Sequence, residues 1–174
     1  MITVIICLVL LALLVPTLVA GRSLAPWLPS HDEDVQAALD LARAKPGETF
    51  YDLGCGEGHA LLVAARRGLR ATGVELAPLL FLAAKARIAF GRVAPGSAAV
   101  QYGDLFKKDI SDADIIFVYG LPQALRGPFT DKVRREAKPE VRIVSCHFRI
   151  STLQEKGIGY SPEHNTALYL YGLA

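Results

Sequence analysis

Cysteine is scarce in this chain, and the three present, Cys7, Cys55 and Cys146, are odd in number and scattered. That excludes a disulfide framework and a zinc cluster and reads as a reduced protein. The four histidines, His31, His59, His147 and His164, have no ligand spacing, so no metal is expected. Charge of one sign is lacking too. A net charge of +2 and a pI of about 8.5 provide no strong basic patch, and nucleic acid is not expected as a partner. No repeat or low-complexity tract is visible, and 174 residues leave room for one domain and not two.

What is abundant is apolar side chain, at 52%, and one segment inflates the figure. Ile2 to Ala20 is apolar apart from Thr3, Pro16 and Thr17, and at 1.5 Å per residue it spans about 28 Å, close to a bilayer core. Residues 1–21 are therefore expected to be a transmembrane anchor. A cleaved signal peptide would want a basic n-region and small residues at its cleavage site, and Leu18-Val19-Ala20 is a poor match. Arg22 argues that the C-terminal side faces the cytoplasm. The expectation is a single-pass protein with a cytoplasmic catalytic domain. The absence of an Arg-rich, Ser-rich leader favours a prokaryotic cytoplasmic membrane over a mitochondrion. Residues 22–29 read as a linker that Pro26 and Pro29 keep extended, and residues 30–174 as the domain.

The domain is organised around residues 49–58, Thr-Phe-Tyr-Asp-Leu-Gly-Cys-Gly-Glu-Gly. Thr49 to Leu53 has the β-branched, aromatic and apolar character of a buried strand, and Gly54, Gly56 and Gly58 follow without side chains. A dinucleotide fingerprint would place a third glycine where His59 stands. The spacing G-x-G-x-G, with Asp52 two residues upstream, instead looks like motif I of the Rossmann-like S-adenosylmethionine (SAM) methyltransferases. In these the acidic strand end meets the cationic methionyl part of the cofactor.

Further elements follow in alternation. Ser30-His31-Asp32-Glu33 has the form of a capping box and opens a helix that Pro46-Gly47 ends. Ala60 to Arg67 reads as a helix stopped by Gly68. The strand Ala71 to Val74 ends at Glu75, where a nucleotide-binding α/β fold places a carboxylate that accepts from ribose hydroxyls. Ala77 to Phe90 is predicted helical, and Ala98 to Tyr102 is a third strand leading to Gly103-Asp104-Leu105-Phe106. An Asp after this strand commonly meets the adenine amino group in SAM enzymes, although a turn Asp also bonds its own backbone. Asp114 to Val118 is continuously apolar, as at the centre of a parallel sheet, and runs into Tyr119-Gly120-Leu121-Pro122, where the acceptor should approach. Leu121 to Arg135 reads as a helix broken at Gly127-Pro128, with Lys132, Arg134 and Arg135 as a solvated face. Val141 to Ser145 is a fifth strand; His147 at its end reads as structural first. Leu153 to Gly157 and Tyr160 form a hairpin with an antiparallel strand at Ala167 to Tyr171. The fold class is α/β, a Rossmann-like methyltransferase sheet, mostly parallel with a C-terminal antiparallel strand.

The chain resembles the membrane-anchored protein-lysine methyltransferases that include the ATP synthase c-subunit and adenine nucleotide translocase lysine methyltransferases, with related small archaeal enzymes. The shared features are the N-terminal apolar segment, Pro26 to Ser30, Asp52 to Gly58, Gly73 to Pro78, Gly103 to Phe106, Phe117 to Pro122 and Val141 to Phe148. Cys55 and Glu57 stand where the family often has Ser and Asp, and Tyr119-Gly120-Leu121-Pro122 replaces an aliphatic-x-Pro-Ser strand end. The resemblance implies SAM as cofactor, held by Pro29, Ser30, Asp52, Gly54, Cys55, Gly56, Glu75, Leu76, Asp104 and Leu105. It places Tyr119, Leu121 and Pro122 at the acceptor, and implies a membrane-associated protein lysine as the substrate.

Methyl transfer from a sulfonium requires alignment and an unprotonated amine, and desolvation near Tyr119 and Leu121 would lower the amine pKa. A small amine or phospholipid headgroup is the alternative acceptor, and a non-catalytic SAM-binding membrane scaffold the alternative class.

Overall fold

The computed structural model describes residues 30–94 and 97–173, together with Leu11. The expected anchor, the linker and Pro29 lie outside the described residues, Leu11 apart. Among the described residues no helix is long and apolar enough to cross a membrane.

The element order is α1 (Asp32–Leu41), β1 (Thr49–Leu53), α2 (His59–Arg66), β2 (Arg70–Glu75), α3 (Pro78–Phe90), β3 (Ala98–Tyr102), β4 (Ile115–Tyr119), a short turn of helix α4 (Pro122–Ala124), α5 (Thr130–Glu136), β5 (Arg142–Cys146), β6 (Gln154–Tyr160) and β7 (Ala167–Gly172). Seven strands form one sheet in the order β3-β2-β1-β4-β5-β7-β6. The first five are parallel, and β7 runs antiparallel to both β5 and β6. Every residue of β1 is buried, as a central parallel strand covered on both faces requires. Alternation sends Phe50 and Phe117 to one face, with Val35, Leu39 and Leu61, and Tyr51 and Ile116 to the other, with Phe129 and Val133. Strand order reverses between β1 and β4, which opens a crevice at their carboxyl ends.

Two local expectations need correction. The helix α1 begins at Asp32 with His31 as its N-cap and no side-chain cap bond, so Ser30 does not close a capping box. Asp32, Glu33 and Asp34 in the first turn complement the helix dipole instead. The break expected at Gly127-Pro128 in the helix over 121–135 is present: Arg126 is extended and Gly127 left-handed at φ 66°, after which Thr130 restarts it. Lys132, read as solvated, is 2% exposed. Its ammonium donates to the Lys108 carbonyl and the Glu136 carboxylate, and a charge so paired can be buried.

Candidate cofactor and acceptor site

The glycine turn is built from backbone geometry that side chains resist. Gly54, Gly56 and Gly58 have φ of 96°, 54° and 77°, the left-handed region in which glycine has no steric penalty. The N–H groups of Gly54 and Cys55 both donate to the Val74 carbonyl, at 3.0 and 3.1 Å, folding the turn back over β2. A Cβ built on Gly54 meets nothing within 4 Å, so the turn borders open space. Beneath it the Cys55 side chain packs on Gly73, where a Cβ would lie 2.5 Å from Sγ. Burial pushes the Cys55 thiol far above its ordinary range.

Glu75 ties three loops together. Its Oε2 accepts the Gly56 N–H at 2.8 Å and its Oε1 the Ala77 N–H at 2.8 Å. Its backbone carbonyl accepts the Gly103 N–H at 3.0 Å. The sequence pointed to Glu75 as a ribose acceptor; the structure shows that it also fixes the turns after β1, β2 and β3. Each carboxylate oxygen keeps a further lone pair. Burial raises the Glu75 pKa, against the lowering by its backbone donors.

Asp52, aligned with Gly73 on one side and Phe117 on the other, is 5% exposed. Burial, then repulsion from Glu75, pushes its carboxyl up to about 8. Neither acid has a cationic partner among the ion pairs of the described residues. Two buried carboxylates without a cation, beside a glycine turn facing open space, fit a ligand that carries positive charge and approaches the backbone closely.

The remaining cofactor candidates divide. Leu76 is exposed at the end of β2. Asp104 is half-buried and accepts the Phe106 N–H at 2.9 Å, the local turn that such a residue makes, which leaves its other oxygen available. Leu105 packs in the core beside Val74 and Ile110, so only its backbone can meet a ligand. Ser30 is half-buried just before α1. Nearby, the His59 imidazole pairs with Asp32 and approaches Arg87 at 3.4 Å. Arg87 in turn pairs with Glu57 at 2.8 Å. The residues that depart from a dinucleotide motif thus tie α1, α2 and α3 around the turn.

On the other side of the crevice, Tyr119 at the end of β4 stands in register with Cys146 of β5. Its ring meets His147 edge-on at 5.5 Å and lies 6.1 Å from Phe148. Burial raises the Tyr119 phenol pKa, with Cys146 adding to it. His147 has φ of 67°, held there by its N–H to the Ala167 carbonyl at 2.8 Å and by the Phe148 N–H to the Cys146 carbonyl at 2.9 Å. Leu121 is exposed beside this corner and Pro122 opens α4. Sequence reasoning took His147 as structural and passed over Phe148; the signal was the aromatic pair directly after a predicted strand. Burial raises the Cys146 thiol to about 12, with the carboxylates of Asp34 and Asp52 adding to it.

The ANTKMT methyltransferase domain model matches residues 52–157. The chain belongs to this family. As such it is a SAM-dependent methyltransferase, and S-adenosylmethionine is its cofactor. It is 29% identical over 153 residues to a protein-lysine N-methyltransferase of Saccharolobus islandicus (strain REY15A), covering 84% of this chain and 94% of that protein. It is 28% identical over 123 residues to the human ATP synthase c-subunit lysine N-methyltransferase, covering 71% of this chain and 52% of that one. The methyltransferase therefore spans about half the length of its human relative. Among solved structures, the RNA methyltransferase from Salinibacter ruber in complex with S-adenosyl-L-homocysteine superposes with a TM-score of 0.76 at 25% identity, over 84% of this chain and 94% of that one.

Proposed function

We propose that this methyltransferase modifies lysine side chains of a membrane-associated protein from the cytoplasmic side of a prokaryotic membrane. The apolar segment of residues 2–20 tethers it to the bilayer. The names of the archaeal and human relatives support the lysine acceptor. The observation that carries the reading is the aromatic corner of Tyr119, His147 and Phe148 across the crevice from the Asp52 strand end. Such a corner takes the alkyl stem of a lysine, removes water from its amine and so favours the unprotonated form, and its ring faces accept a methylated ammonium.

Bound SAM supplies an electrophilic methyl group on a sulfonium. The chain's own residues do the rest. Asp52 and Glu75 provide the negative charge that meets a cationic ligand, and Gly54 and Gly56 let it lie on the backbone. Cys55 and Leu76 line the turn, while Asp104 and the Leu105 backbone receive the base. Ser30 meets the cofactor from the start of α1. Tyr119, Leu121 and Pro122 position the acceptor. Alignment and desolvation supply the rate, and the amine loses its proton before transfer.

The test is incubation of the full chain with methyl-labelled SAM and membranes of the source cell, followed by gel separation, acid hydrolysis and lipid extraction. Label recovered as methyl-lysine in a protein band is expected. Label in the lipid fraction would move the enzyme to headgroup amines, and SAM binding with no transferred label would make it a scaffold.

A further inference from the structure

The helix α3 turns a large part of its apolar surface outward. Ala84 is the residue it buries fully, with Leu80, Phe81 and Ile88 half-buried on the same side. On the opposite side Leu82 is 50% and Phe90 83% exposed, and Ala83, Ala86 and Ala89 are exposed between them. At 3.6 residues per turn these five fall within one arc of about 120° and run for about 12 Å along the axis. A helix on a water-facing surface would carry polar residues there.

The charges that this segment itself carries have one sign. From Pro78 to Ala94 the chain has Lys85, Arg87 and Arg92 and no Asp or Glu. Helical spacing sets Lys85 and Arg87 on opposite borders of the apolar arc. Arg87 is paired with Glu57, whereas the Lys85 ammonium lies over the Phe81 ring at 5.7 Å. The Phe81 ring packs in turn on Tyr102 at 5.5 Å, and Tyr102 is exposed at the end of β3.

We propose that this outer face of α3 lies on an anionic bilayer surface, with Leu82 and Phe90 at the acyl boundary and Lys85 and Arg92 at lipid phosphates. Unlike a free interfacial helix, α3 is apolar on both sides: one side packs on the domain, and the other, bordered by cations, suits the boundary between acyl chains and headgroups, while basic residues next to a membrane are drawn to its anionic leaflet. A second copy of the chain is a poorer occupant. A stable dimer buries about 800 Å² per partner, more than a face some 12 Å long provides. The inference rests on the membrane-tethered reading above and goes beyond it: α3 fixes how the domain is turned against the bilayer, and hence which side of the crevice a surface-embedded substrate meets.

The probe is the full chain carrying Phe90→Trp in a Trp27→Phe background, reconstituted into phosphatidylcholine vesicles with and without phosphatidylglycerol. Fluorescence is compared between ordinary and chain-brominated lipid. Docking predicts at least a twofold drop in emission with brominated lipid when phosphatidylglycerol is present, and recovery on adding Lys85→Glu and Arg92→Glu. Co-flotation with vesicles but unquenched emission overturns docking and leaves the tether standing. Unquenched, blue-shifted emission assigns the face to protein, either the apolar segment of residues 2–20 or a second copy, and also overturns it. Failure to co-float overturns docking and tether together. Methyl-lysine formation is scored on the same preparation, so each of these failures stays separate from failure of the lysine reading.

Discussion

The Glu75 carboxylate accepts the backbone N–H of Gly56 at 2.8 Å, across the gap between the turns that follow β1 and β2. A residue at the end of the neighbouring strand thereby sets the shape of the glycine turn. Substitution Glu75→Gln replaces one accepting oxygen with an amide NH₂ that cannot accept, so either the Gly56 or the Ala77 N–H loses its partner. An unpaired buried donor costs about 1–3 kcal/mol. Calorimetric titration should show SAM affinity reduced at least tenfold and a melting point lowered in the free protein. Unchanged values for both would remove Glu75 from this role.

Gly73 is the floor of the same turn. An added Cβ would lie 2.5 Å from Cys55 Sγ and 2.7 Å from Leu61 Cδ1, inside any tolerable contact. Overpacking of this kind costs about 1–3 kcal/mol. The expected result for Gly73→Ala is weaker SAM binding and lower stability, partly reversed by Cys55→Gly in the double variant. If the double variant melts no higher than Gly73→Ala alone, the contact with Cys55 is not the cause.

Asp52 predicts a pH dependence whose sign can be worked out. Its folded value of about 8 lies above the ordinary 3.8, so between those limits the folded protein holds a proton that the unfolded chain has released. Stability of the free protein therefore falls as pH rises through that window and levels off above it. A cationic ligand favours the carboxylate, so SAM binding near pH 7 should release a proton and tighten toward pH 8. Titrations in two buffers of different ionisation enthalpy measure that proton, and Asp52→Asn should abolish it along with most of the affinity. Equal release by the variant would assign the proton elsewhere.

Tyr119 and His147 separate turnover from cofactor binding. Tyr119→Ala is expected to lower kcat at least tenfold and to change SAM affinity far less, because its ring packs on His147 and Phe148. His147→Gly removes the same edge contact but relieves a left-handed backbone that disfavours side chains. Stability should hold or rise slightly while turnover drops. A His147→Gly enzyme with full turnover would leave Tyr119 to act without it.

Much of this protein is determined locally. The sequence alone specified the alternation of strands and helices, because buried parallel strands such as Thr49–Leu53 and Ile115–Tyr119 are largely apolar, and because glycines at 54, 56 and 58 mark positions where the backbone turns left-handed. Asp52 and Glu75 were legible as a pair for the same reason: strand ends at a known spacing point into one crevice. Tertiary structure decided what no local pattern encodes. Whether Lys132 faces water depends on a carbonyl of Lys108 that is distant in the chain. Whether Ser30 caps a helix depends on where packing lets α1 begin. His147 meets Tyr119 only because β5 pairs with β4 on one side and β7 on the other, and the outward apolar face of α3 follows from Ala84 being the side that packs. Periodicity says that a helix is apolar; which of its faces meets the sheet is settled by long-range packing.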